Sequence, residues 1–133
     1  MKLATTTNDF HPYYCADTSD AIGAFEGTGF RHLDFSFYYD DNPGIVSSDD
    51  WMRSIDAAGA QAQKLGMDFV QAHAPGINIL DNRDDDKDLL VFSRCIEACA
   101  HLGIDRMVMH SACVPRYLYP QDRDGYFAEN RDF

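Results

Sequence analysis

Two histidines, His73 and His110, and one aspartate, Asp34, are the residues whose type and placement in this chain suit chemistry. Each histidine stands seven residues after a glycine, in KLGMDFVQAHAPG (64–76) and HLGIDRMVMHSAC (101–113). In both stretches an apolar residue and an Asp follow the glycine, and a short apolar run then ends on the histidine. A third copy, GTGFRHLDFSFYY (27–39), carries Asp34 within its run. An imidazole that titrates near neutrality can donate to a hydroxyl, accept from one, or ligate a metal. A carboxylate at a strand end can contact a ligand or cap a neighbouring loop.

These residues need elements that deliver them to one place. The glycines Gly29, Gly66 and Gly103 recur at intervals of 37 residues. Glycine is favoured where a helix closes in the left-handed region, and the apolar run after it suits a buried parallel strand. Each unit therefore reads as strand, loop, helix and tight turn, the βα repeat of a parallel α/β fold, with the histidines at strand C-terminal ends. An α/β barrel is the expected architecture, and in a barrel that end collects the substrate contacts.

Taken in order, residues 3–7 read as the first strand. Asp17, Thr18 and Ser19 are candidate N-caps of a first helix that closes at Gly27-Thr28-Gly29. Residues 31–35 read as the second strand. Ser48 is the expected N-cap of a second helix, with Asp49 and Asp50 in its first turn and the stripe Trp51, Ile55, Ala58, Ala62, Leu65 facing inward. Residues 67–72 read as the third strand, and Leu89, Phe92, Ile96, Cys99 and Leu102 as the inner face of a third helix. Residues 106–109 read as a fourth strand. Tyr126, Asn130 and Phe133 begin a fourth helical stripe that the sequence does not complete. About four strands and three to four helices make the first half of an eight-stranded barrel, so residues 1–133 are expected to be the N-terminal half of one such domain, truncated in its fourth helix.

Composition narrows the partners. The chain has 133 residues, 45% of them hydrophobic, and a formal net charge of −11. That balance suits a globular core and argues against a protein that neutralises a phosphate backbone, so nucleic acid is not an expected partner. No apolar run reaches the roughly 18 residues of a membrane span, and residues 1–10 lack the apolar core of a signal peptide, so a soluble cytoplasmic protein is expected.

Other features carry structural readings. Cys15, Cys95, Cys99 and Cys113 lack disulfide-scaffold density, and Cys95 and Cys99 read as small buried groups in helix packing. The acidic run Asp84-Asp85-Asp86 reads as helix-start capping. Gly23, Gly27 and Gly29 lie within and after a helix, so they are not a phosphate-cradling loop. His11, His32 and His101 read as structural or surface residues. Tyr38 and Tyr39 could line a pocket, whereas Trp51 belongs to the core stripe.

In HLDFSF, LGMDFVQAHAPG and LGIDRMVMHSA the chain resembles the xylose isomerase-like superfamily of sugar phosphate isomerases and epimerases, TIM barrels that also include the endonuclease IV type. The resemblance covers essentially the whole chain, and His73 followed by Ala-Pro is its most diagnostic element. It implies a divalent metal (Mn, Mg, Co or Zn) held mostly by carboxylates and a histidine from strands five to eight, and an acidic pair moving a proton next to a sugar carbonyl. Those catalytic residues have no counterpart here. Only Asp34, His73 and His110 carry over, as substrate-facing residues, or with His73 and His110 as zinc ligands in the endonuclease-type alternative.

The leading expectation is therefore part of a metal-dependent isomerase or epimerase of a sugar, sugar phosphate or polyol, with no turnover by the fragment alone. One alternative is an endonuclease IV-type phosphodiesterase. Another is a non-catalytic half-barrel that forms a homo-oligomer through its open sheet edges and inner apolar face.

Overall fold

A computed structural model of the chain describes residues 3–10, 17–37, 44–77, 86–110 and 124. Four strands, β1 (Ala4–Thr6), β2 (His32–Ser36), β3 (Asp68–His73) and β4 (Met107–Val108), lie in one sheet in sequential order. Every neighbouring pair is parallel. Three helices, α1 (Thr18–Gly23), α2 (Trp51–Lys64) and α3 (Asp86–Leu102), alternate with the strands. Parallel neighbours require crossovers, and the helices supply them. This is the βα repeat that the glycine spacing predicts.

The repeat glycines act as expected. Gly66 and Gly103 have φ of 65° and 71°, the left-handed region that side chains disfavour. The two helix ends close alike: Met67 N–H donates to Ala62 O at 2.9 Å and Ile104 N–H to Cys99 O at 2.8 Å. Both bonds reach back five residues over the glycine and satisfy a carbonyl that the helix leaves unpaired. The chain then turns directly into β3 or towards β4.

The core lies between the sheet and the helices. Leu33 and Phe35 of β2 are fully buried, as are Ile22, Ile55 and Cys95 from the three helices. Phe35 meets Phe37 and Phe69 edge-on, at centroid distances of 5.0 and 5.2 Å. Because side chains alternate along a strand, Asp34 and Ser36 fall on the other face of β2, away from the helices.

Several elements differ from expectation. α1 ends at Gly23, where Gln61 of α2 crosses closely enough that a Cβ would meet its Nε2 at 3.1 Å. The chain continues through tight four-residue turns as far as Thr28. Asp17 is the cap of α1, accepting from Asp20 N–H at 2.9 Å. Ser48 does not cap α2, which starts at Trp51 with Asp50 in the cap position and no side-chain bond. Instead the Ser48 and Val46 carbonyls accept from Arg94 Nη1, at 3.2 and 2.8 Å, and the Arg94 guanidinium stands 5.7 Å from the centre of the buried Trp51 ring. That bridge from α3 holds the residues before α2 in turns.

On α3 the inward face is Val91, Cys95, Ala98 and Cys99 rather than the stripe through Leu89 and Ile96, which are 50% and 58% exposed. The helix is apolar on two faces, so periodicity alone admits both. α3 comes closest to α2 at Gly59, where a Cβ would meet Leu102 Cδ2 at 3.0 Å. The expected fourth helix through Tyr126 and Phe133, the residues Asp84 and Asp85, and Cys15 and Cys113 lie outside the described residues. No helix among the described residues is long and apolar enough to cross a membrane.

Candidate functional site

The strand register brings Asp34, His73 and His110 together. Asp34 is in the middle of β2 and His73 ends β3. A register irregularity after Leu33 sets Gln71, rather than Val70, opposite Asp34, and Ser36 opposite His73. The bulge therefore aims Gln71 and His73 at the same carboxylate. His73 Nδ1–H donates to Asp34 Oδ2 at 2.6 Å, and Gln71 Nε2–H donates to the same oxygen at 3.0 Å. Asp34 is 9% exposed, and its Oδ1 is buried with no hydrogen-bond partner among the described residues.

The His110 ring lies beside that of His73, with centroids 5.9 Å apart and planes inclined by 31°. The ladder between β3 and the chain leading to His110 fixes this approach: Ala72 N–H donates to Arg106 O at 3.0 Å and Ala74 N–H to Val108 O at 2.9 Å. On the other side, Phe37 N–H donates to His73 O at 2.8 Å, and Ser36 N–H to the buried Thr7 Oγ1 at 3.0 Å. The C-terminal ends of β1, β2 and β3 are thus tied to one another by bonds that continue past the regular strands.

The arrangement has direct chemical consequences. A carboxylate can only accept, so the proton of a neutral His73 resides on Nδ1 and its Nε2 carries the lone pair. Nε2 can then accept from a hydroxyl, and Asp34 stands ready to stabilise the imidazolium if the proton transfers. Asp34 Oδ1 is a second acceptor, one that needs a donor.

The metal that the family resemblance implies is not matched by these residues. No group of three His, Cys, Asp or Glu able to hold a metal ion is present among the described residues. The Asp34 oxygen nearest the histidines already accepts two hydrogen bonds, and a hard cation such as Mg²⁺ or Mn²⁺ wants several carboxylates.

Three residues of this site were not anticipated. Gln71 lies two positions before His73 on the same strand, so the two-residue period places it on the same face. Thr7 and Ser36 are buried polar residues at adjacent strand ends, and nothing in their spacing marks them. The remaining histidines stand apart. His32, which opens β2, pairs with Asp68, and His101 in the last turn of α3 pairs with Asp56 of α2 at 2.7 Å. His11, Tyr38 and Tyr39 lie outside the described residues. Cys95 and Cys99 are buried thiols in the helix layer, with burial pushing Cys95 up to about 12 and Cys99 to about 11.

Sequential parallel strands alternating with helices, with polar residues at the strand ends, are the arrangement of half a TIM barrel. One solved structure that the chain is similar to is a protein of Rhodospirillum rubrum named as a "Putative Xylose isomerase", with a TM-score of 0.68 and 16% sequence identity. The match covers 99% of this chain and 47% of that one, so this chain spans about half the length of its structural counterpart. At that identity the likeness is one of fold. No family model and no curated protein matches the sequence.

Proposed function

We propose that this chain forms part of a metal-dependent isomerase or epimerase of sugars, sugar phosphates or polyols, and supplies the wall that binds and orients substrate hydroxyls. The observation that carries the proposal is the Asp34–His73–His110 cluster, which joins the middle of β2, the end of β3 and the residue two past β4. In this reading a substrate hydroxyl donates to His73 Nε2, and His110 contacts the same substrate from the side. Proton transfer next to the carbonyl needs an acid–base pair and a divalent metal, which are proposed to reside outside the described residues. Binding, rather than turnover, is the activity expected of this chain alone.

Further strands complete the barrel in this reading. Among the described residues β1 and β4 each pair on one side, so strands from another segment or a second copy would add there. The test is equilibrium binding of a panel of sugars, sugar phosphates and polyols to the chain and to its His73→Asn and Asp34→Asn variants. Weak, saturable binding lost in both variants supports the proposal. Absence of binding, together with tight zinc uptake and capture of abasic DNA, would replace it with the endonuclease-type reading.

A further inference from the structure

Arg31 and Lys64 line one cleft of about 390 Å³ at the end of the sheet opposite His73, together with Phe25, Glu26, Phe30 and Met67. Its walls are the two turns that lead into β2 and β3. Arg31 O accepts from Asp68 N–H at 3.0 Å, which joins the turns. The Arg31 guanidinium reaches across to the second turn, since a Cβ on Gly66 would sit 3.7 Å from its Nη1. Phe25, 2% exposed, and Phe30 meet edge-on at 6.3 Å and give the cleft an apolar lining.

The charges are what set this cleft apart. In a chain of net charge −11, basic groups have many acidic neighbours to choose from. Arg53 and Arg106 stand against Asp50 and Asp105, and Arg94 against two carbonyls and Trp51. Arg31 and Lys64 have no acidic partner among the described residues, and both face the same cleft. Glu26 is the single carboxylate lining it, so the local balance is one positive charge. A monoanion neutralises that balance, whereas a dianion meets Glu26 with charge to spare.

We infer that this cleft binds a small organic monoanion, a carboxylate carried on an apolar body, with Arg31 and Lys64 holding the carboxylate and Phe25 and Phe30 the body. A charge-assisted hydrogen bond to each cation supplies affinity and the rings supply selectivity over simple ions. Occupancy would clamp together the turns that set β2 against β3, and hence Asp34 against His73. The inference does not depend on what the strand-end cluster binds.

Amide ¹H–¹⁵N spectra of the whole chain, titrated with phenylacetate, phenylacetamide and inorganic phosphate, test it. Phenylacetate is expected to shift the amides of Gly27, Gly29 and Gly66 saturably, phenylacetamide to leave them unmoved, and phosphate to bind more weakly. Arg31→Gln and Lys64→Gln should each weaken phenylacetate about tenfold, the scale of one charge-assisted bond. Glu26→Gln removes no cation and should tighten both anions. Equal binding of the neutral amide, phosphate as tight as phenylacetate, or an unchanged affinity in Glu26→Gln would each overturn the inference.

Discussion

His73 Nδ1 lies 2.6 Å from Asp34 Oδ2, a contact made across two strands by residues 39 positions apart in the sequence. The bond does two things. It orients the imidazole, and it leaves Nε2 as the acceptor facing away from the carboxylate.

Gln71 is the second donor to that carboxylate, so its charge state matters. Gln71→Glu would set a second carboxylate against Asp34, raising the folded-state pKa of the pair above its unfolded value. Stability is then retained below the unfolded carboxylate range, about pH 4, and lost as pH rises through the raised value. Denaturant midpoints should show the variant well below the wild type at neutral pH and near it at acid pH. An equal deficit at both would mean that packing, not charge, sets the role of Gln71.

The repeat glycines give a backbone prediction. A Cβ on Gly103 would meet nothing within 4 Å, yet its φ is 71°. Gly103→Ala should therefore cost about 1–2 kcal/mol from conformation alone, with an unchanged denaturant slope and a smaller loss for Gly103→Asn. A neutral Gly103→Ala would contradict the left-handed closure of α3.

Two isoleucines test which faces of the helices are buried. Ile55 of α2 is fully buried and Ile96 of α3 is 58% exposed. Ile55→Ala should destabilise by about 2–5 kcal/mol, and Ile96→Ala by less than about 0.5 kcal/mol. Comparable losses would return α3 to the orientation its simple apolar stripe suggests.

The buried thiols predict a base-side loss of stability. Their folded pKa values, about 12 for Cys95 and about 11 for Cys99, are raised from the ordinary 9.0 by burial, with the neighbouring Cys99 adding to the shift at Cys95. Their contribution is thus present below pH 9 and declines as pH rises towards the folded values. Unfolding free energies measured above pH 9 should fall more steeply in the wild type than in Cys95→Ala/Cys99→Ala. Peptide mapping after alkylation at neutral pH should find both thiols unmodified until the chain is denatured.

Much of this was legible in the sequence because it is local. The 37-residue glycine spacing and the histidine seven residues on encode a helix stop and a strand length, and both depend on backbone conformation. What was not legible depends on neighbours. Ser48 has the composition of a cap, but Arg94 from α3 claims its carbonyl. Leu89 and Ile96 match the helical period, but α3 is apolar on a second face, and it is Val91, Cys95 and Ala98 on that face that are buried. Gln71 joins the site through a register irregularity between β2 and β3, which no single strand's pattern reveals.

The most direct test of the account is the ¹⁵N signature of the His73 imidazole near neutral pH, recorded without ligand, with a saturating polyol, and in Asp34→Asn. The neutral ring should show a protonated Nδ1 and an unprotonated Nε2, with a change at Nε2 when the polyol binds and loss of both the tautomer preference and the response in Asp34→Asn. An Nε2-protonated ring, or one indifferent to ligand while sugars bind elsewhere, would contradict it.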